Sequence, residues 1–121
     1  MHNNMVKPRR DTQAIGRAGE QQALSYLLAQ GLVLMETNYR RPYGEIDLIM
    51  QHGSTVVFVE VRLRRHSDYG SAADSIGVRK QQRLRRAAQT YLKRYARMPP
   101  CRFDVIAIDG GKLSWLRNVM G

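Results

Sequence analysis

The stretch that most constrains this chain is EIDLIMQHGSTVVFVEVRLR, from Glu45 to Arg64. Two runs of strand-forming residues, 45–51 and 56–63, flank Gly53-Ser54, a two-residue turn signal, so the segment reads as an antiparallel hairpin. If the loop is those two residues alone, Asp47 lies opposite Glu60 and Glu45 opposite Arg62. Strand side chains alternate between faces, so these four share a side with Ile49, Phe58, Gln51 and Val56. The other side carries Ile46, Leu48 and Met50 against Val61, Val59 and Val57. A sheet apolar on both sides is covered on both sides, which places an acidic cluster at one end of a mostly buried hairpin.

Opposed carboxylates repel, and partial burial makes the repulsion costlier. Arg62 brings one positive charge against the three negative charges of Glu45, Asp47 and Glu60, so a divalent cation suits the cluster. Hard carboxylate oxygens without nearby histidine or cysteine favour Mg²⁺, or Mn²⁺ in its place, over zinc. The same residues admit a second arrangement, a Glu45–Arg62 cross-strand salt bridge with Asp47 and Glu60 each solvated at the sheet edge.

Around the hairpin, Met1 to Arg10 is polar, basic and interrupted by Pro8, and reads as a flexible basic arm. Residues 11–121 form one domain. A helix follows the N-cap candidates Asp11 and Thr12, with Ile15, Ala18, Ala23, Tyr26 and Leu27 at helical spacing and Gly31 as its C′ residue. Leu32 to Asn38 reads as a first strand, ending before the turn formers Arg41-Pro42-Tyr43-Gly44. Arg64 to Ser75 is a polar loop, and a second helix is expected from about Ile76 to Tyr95, stopped by Pro99-Pro100. Arg102 to Asp109 and Lys112 to Leu116 read as two strands joined at Gly110-Gly111. Helix, three strands, helix, two strands is an α/β order with a mixed central β-sheet flanked by helices.

The chain holds 20 Lys+Arg against 10 Asp+Glu, a formal net charge of +10, which points to a polyanionic partner, nucleic acid before an anionic membrane surface. No apolar run approaches the roughly 18 residues that span a bilayer, and no apolar stretch follows the basic N-terminus as in a secretory signal. Cys101 is the single cysteine, which excludes an intrachain disulfide and a thiolate zinc cage and suits a reducing cytoplasm.

The runs GRAGE (Gly16 to Glu20), NYRRPYGEIDLI (Asn38 to Ile49), VVFVEVRLR (Val56 to Arg64), RKQQRL (Arg79 to Leu84) and RFDV (Arg102 to Val105) resemble, in order and spacing, the YraN family of small bacterial proteins. The resemblance implies a restriction-endonuclease-like three-layer core of the PD-(D/E)xK nuclease superfamily, similar to archaeal Holliday junction resolvases. By that resemblance Asp47 is the metal-binding aspartate, Glu60 is the acid of the (D/E)xK element, and Glu20 is the helix carboxylate that completes the metal shell. Arg62 stands where the pattern has lysine. Arginine supplies charge but stays protonated, so it cannot serve as a base. The implied activity is Mg²⁺-dependent phosphodiester hydrolysis of DNA, branched or end-containing, with Asp47, Glu60 and Arg62 as the catalytic set. The alternative is a nucleic-acid-binding protein that keeps the fold without catalysis. Resolvase-like folds often act as dimers on two-fold-symmetric junctions, so a homodimer is consistent with the resemblance.

On the second helix Arg79, Arg83, Arg86, Lys93 and Arg97 fall within an arc of about 80° at ~100° per residue, opposite Leu84, Ala88, Tyr91 and Tyr95. A single-sign stripe with no interspersed acid suits phosphate binding. Arg64, Arg65 and His66 add charge at the mouth of the cluster, and Tyr69 in the same loop could stack on a base or anchor the loop. Gln81 projects inward at the helix start, either as packing at a buried edge or, with Glu45, as a secondary site residue. Asp104, in an otherwise apolar strand, needs a buried partner, a neighbouring arginine for example. Trp115 reads as a core or interface anchor.

Overall fold

The computed structural model describes the backbone of residues 7–64 and 76–120, and the side chains of residues 16–63 and 76–120. Its elements are α1 (Lys7–Ala29), β1 (Val33–Arg41), β2 (Gly44–His52), β3 (Thr55–Arg64), α2 (Val78–Leu92), β4 (Cys101–Asp109) and β5 (Lys112–Leu116). The order is the one the residue patterns predict, and three boundaries shift by more than two residues. α1 begins at Lys7, so the last four residues of the expected arm are helical. Pro8 is compatible with this because a proline in a first helical turn removes only an N–H that has no partner inside the helix. β1 runs on to Arg41, leaving Pro42-Tyr43 as a two-residue turn. α2 ends at Leu92 rather than Tyr95. There the amides of Lys93, Arg94 and Tyr95 bond back three residues instead of four, and the Arg94 guanidinium takes the Tyr91 carbonyl at 3.1 Å. Arg97 therefore lies beyond the helix.

The C-terminus of α1 closes as Gly31 predicts. Gly31 adopts φ 95°, and Leu32 N–H bonds to the Leu27 carbonyl while Gly31 N–H bonds to that of Leu28. This is the left-handed glycine cap that turns a chain sharply from helix into strand.

The five strands lie in the order β1-β2-β3-β4-β5. The first three form an antiparallel meander, β3 pairs with β4 in parallel across α2, and β5 returns antiparallel to β4. The β2/β3 register follows the Gly53-Ser54 turn, with His52 facing Thr55 and Leu48 facing Val59. α1 covers one face through Ala23 and Leu27, packed with Leu48, Met50, Val57, Val59, Ile106 and Ile108. α2 covers the other through Leu84, Ala87, Ala88 and Tyr91, packed with Tyr39, Ile46, Ile49, Val56 and Phe58. The result is a mixed sheet between two helical layers.

One expectation about faces is corrected. Strict alternation puts Ile46 with Leu48 and Met50, yet Ile46 belongs to the α2-side core and the other two to the α1-side core. The ladder shows why. β1 and β2 pair at Thr37↔Leu48 and at Tyr39↔Ile46, and Asn38 between them has φ 49°. Asparagine tolerates this left-handed conformation better than most residues. The local twist lets Tyr39 and Ile46 turn toward α2 while Leu48 stays toward α1. Asp47 thus sits where β2 changes faces.

Two contacts hold the helices to this part of the sheet. A Cβ on Gly44 would overlap the Arg83 carbonyl oxygen and stand 3.3 Å from the Ala87 Cβ, so the backbones of β2 and α2 touch there. A Cβ on Gly19 would meet the Leu63 side chain at 2.7 Å, a flexible group that can give way. Gly44→Ala is expected to destabilise the protein by about 2–3 kcal/mol through overpacking, and Gly19→Ala by about 1 kcal/mol or less, read from urea denaturation midpoints.

Candidate functional site

The β2/β3 ladder extends only as far as Leu48↔Val59, whereas β3 keeps its pairing with β4 through Glu60↔Val105 and Arg62↔Ala107. Beyond Leu48 the hairpin therefore opens. The Val61 amide, which a continuous ladder would give to a carbonyl, donates to Asp47 Oδ2 at 2.8 Å. This bond anchors the Asp47 carboxylate in the mouth between the strands.

Glu60 lies beside it and is 5% exposed. Its Oε2 faces Lys80 Nζ at 3.5 Å and Arg62 Nη1 at 3.7 Å, while Oε1 is buried with no hydrogen-bond donor among the described residues. Burial, then the nearby Asp47 charge, pushes the Glu60 carboxyl up to about 7, against the opposing pull of Lys80 and Arg62. Two carboxylates in one poorly solvated mouth resist ionising together, so Glu60 holds its proton well above the ordinary carboxylate range.

The structure separates Glu45 from this pair. The alternative Glu45–Arg62 cross-strand bridge is not the pairing seen; Arg83 Nη2 reaches Glu45 Oε1 at 2.6 Å and Lys80 Nζ reaches Oε2 at 3.3 Å. The Arg83 bond is the main reason the Glu45 carboxyl titrates below its usual range, burial pulling the other way and Lys80 assisting. Strand register alone does not reveal this pairing, because both cations come from α2.

Glu20, on α1, approaches from the opposite side. Its carboxyl is raised by burial and by the Asp47 charge, and lowered by a hydrogen bond to Asn38 and by Arg40. Asp47 thus interacts electrostatically with Glu20 on one side and Glu60 on the other. The expected three-carboxylate shell is not closed: among the described residues no three His, Cys, Asp or Glu side chains converge on a point that could hold a metal ion. Two hard carboxylates, one with a buried oxygen that has no donor among the described residues, do suit Mg²⁺, which is usually held by one or two carboxylates and retains several waters. An open pocket of about 400 Å³, lined by Gly16, Arg17, Glu20, Asn38 and Arg40, adjoins the α1 side.

Gln81 does not reach the cluster; its side-chain amide donates to the Ile76 carbonyl at 3.0 Å. The residue that does enter is its neighbour Lys80. A signal for it was present in the chain, since positions 80, 84, 87, 88 and 91 share one helical face and every member but Lys80 is apolar or aromatic. Of the basic stripe, Arg79 and Arg86 are exposed, Arg83 is occupied by Glu45, and Lys93 is the exposed C-cap of α2. The Arg64 side chain, Arg65, His66 and Tyr69 lie outside the described residues. Asp104 is structural as expected, accepting from Arg102 Nε at 3.0 Å, Trp115 Nε1 at 2.9 Å and the Asn118 amide at 2.9 Å.

These features define a small, basic α/β protein with a paired-carboxylate mouth where two strands part. The family model described as "Uncharacterised protein family UPF0102" matches residues 19–108. A UPF0102 protein of Janthinobacterium sp. (strain Marseille) is 56% identical, covering 95% of this chain and 94% of its own length. UPF0102 protein HEAR0176 of Herminiimonas arsenicoxydans is 52% identical over 96% and 94%, and a UPF0102 protein of Acidovorax sp. (strain JS42) is 55% identical over 95% and 90%. The chain belongs to the UPF0102 family, in agreement with the YraN resemblance of its motifs.

The Glu60 carboxyl carries a measurable signature. Between its ordinary value of 4.5 and about 7, the folded protein retains a proton that the unfolded chain has lost, so folding stability falls as pH rises across that window. The loss is on the order of 3 kcal/mol. Glu60→Gln is expected to flatten this slope, raising the melting temperature relative to the native protein at about pH 8 and changing it little at about pH 4.5. Thermal melts across the range check it; a variant less stable at every pH contradicts the assignment.

Proposed function

We propose that this protein is a metal-dependent phosphodiesterase of restriction-endonuclease-like architecture acting on DNA, with branched or end-containing DNA as the favoured substrate. The observation that carries the proposal is the Asp47–Glu60 pair. Asp47 is held by the Val61 amide, and Glu60 beside it, within hydrogen-bonding reach of Asp47, has Oε1 buried with no donor among the described residues. A buried carboxylate oxygen left unbonded is costly unless it serves a proton or a cation. Asp47 and Glu60 would hold Mg²⁺ or Mn²⁺, with Glu20 behind Asp47 as an additional carboxylate. When bound, the ion would lower the pKa of a water and polarise a phosphate oxygen.

The chain's own residues account for the rest. Asp47 and Glu60 orient the water, and Glu60 would be ionised when the pair holds a cation. Arg62 and Lys80, both within 4 Å of Glu60 Oε2, place positive charge where phosphate charge grows. Arg79, Arg86 and Lys93 on the exposed face of α2 track the nucleic-acid backbone, a role in which arginine and lysine act chiefly through charge.

A second reading, a nucleic-acid-binding protein without catalysis, is favoured by Arg62 in the position where the superfamily pattern has lysine. Incubation with linear, single-stranded and four-way-junction DNA separates the two. Cleavage is expected with Mg²⁺ or Mn²⁺, absent with chelator, and reduced at least ~100-fold by Asp47→Asn or Glu60→Gln. Binding without cleavage under every condition supports the second reading. Under either, the double variant Arg79→Glu/Arg86→Glu is expected to weaken DNA binding and to reduce the slope of log affinity against log salt by about 1–2 units.

A further inference from the structure

The strand position two residues beyond Glu60 carries Arg62, and α2 sends an ammonium to the same carboxylate oxygen. We propose that Lys80, from the first turn of α2, supplies the lysine that this strand lacks, and contacts the scissile phosphate directly as a catalytic residue. This rests on the phosphodiesterase reading above and names the group that completes it.

Three observations carry the assignment. Lys80 occupies the sheet-facing row of α2 ahead of Leu84, Ala87, Ala88 and Tyr91, all buried, so its side chain is directed along the α2/sheet boundary toward the mouth. Its Nζ lies 3.5 Å from Glu60 Oε2 and 3.3 Å from Glu45 Oε2, and the side chain keeps 28% exposure, enough to meet a substrate. Glu45 is already matched by Arg83 at 2.6 Å, so Glu45 does not consume the Lys80 charge but tethers its position. The anchoring extends to the backbone, since the Arg83 carbonyl rests against Gly44 next to Glu45 in sequence.

An ammonium has three N–H donors; one is given to Glu45 Oε2, Glu60 is met only as an ion pair at 3.5 Å, and a remaining donor suits a phosphate oxygen. The compact ammonium can rotate toward a phosphate without leaving its carboxylates, whereas the planar guanidinium of Arg62 needs its fork aligned. In the step assigned here, water oxygen bonds to phosphorus and the bond from phosphorus to one sugar oxygen breaks. The water's proton passes to solvent and the leaving oxygen takes a proton from solvent, giving a phosphomonoester and a hydroxyl. Lys80 hydrogen-bonds a non-bridging oxygen as the charge on that oxygen grows, and transfers no proton.

The test uses the full chain with Mn²⁺ and four-way-junction or linear DNA, comparing Lys80→Met, Lys80→Arg and Arg62→Lys. Single-turnover cleavage and, separately, Mn²⁺ affinity by calorimetric titration are read for each. Expected is cleavage by the native protein, a loss of at least ~100-fold in Lys80→Met with Mn²⁺ bound at least as tightly, and partial recovery in Lys80→Arg. Removing a positive charge beside two carboxylates does not weaken a cation's binding, so Mn²⁺ affinity falling in step with the rate would reduce Lys80 to a structural role and overturn the proposal. If Lys80→Met melts below the assay temperature, Lys80→Gln, which keeps a polar side chain, takes its place. Native cleavage left within ~3-fold by Lys80→Met overturns the Lys80 assignment alone. So does cleavage by Arg62→Lys where the native protein has none, since the strand lysine would then be indispensable. No cleavage by either chain overturns the phosphodiesterase reading and this assignment together.

Discussion

The bond from the Val61 amide to the Asp47 carboxylate is the joint on which this end of the molecule depends. An antiparallel ladder that stops leaves amides without partners, and a buried unpaired amide costs about 1–3 kcal/mol. Asp47 removes that cost by offering a side-chain oxygen at 2.8 Å where the partner strand has turned away. β3 can then leave β2 and continue with β4, and the mouth it opens receives Glu60 from one strand and Asp47 from the other. A residue that satisfies the backbone and also lines the mouth is held there by folding itself, which is how a carboxylate is kept beside a second one that repels it.

Two glutamates only fifteen positions apart illustrate how environment divides like residues. Glu45 is half-exposed and bonded to Arg83, and its carboxyl is held below the usual range. Glu60 is buried against Asp47, and its carboxyl is pushed up to about 7. Lys80 touches both. Its charge is secondary to the Arg83 bond at Glu45, and at Glu60 it offsets only part of the burial and repulsion. Low dielectric strengthens attraction and repulsion alike, so the outcome at each site follows from which charges are near and how much water is excluded.

Several parts of this arrangement were legible without coordinates. Gly53-Ser54 set the β2/β3 register because a two-residue hairpin leaves no slack in pairing. Gly31 marked the end of α1 through its left-handed φ, and Asp104 announced a buried partner by standing alone among apolar neighbours. Other parts were not legible. The change of face at Asn38 and Asp47 breaks the alternation on which strand reading rests, and it moved Ile46 to the opposite core. The partner of Glu45 lies 38 positions away on a helix, beyond any local pattern. Lys80 interrupted an apolar row visibly enough, but an inward lysine has meaning only once its carboxylates are located.

What the sequence alone determined is therefore the order of elements, the hairpin register and the cross-strand meeting of Asp47 with Glu60, because turn chemistry and period-two alternation act between near neighbours. Only the tertiary structure decided which cations meet which carboxylates, and so which of them titrates high and which low. Those outcomes depend on distances of 2.6 to 3.7 Å and on exclusion of water, and both arise when α2 docks on the sheet at Gly44. No local pattern encodes a distance between a strand and a helix that packing alone brings together.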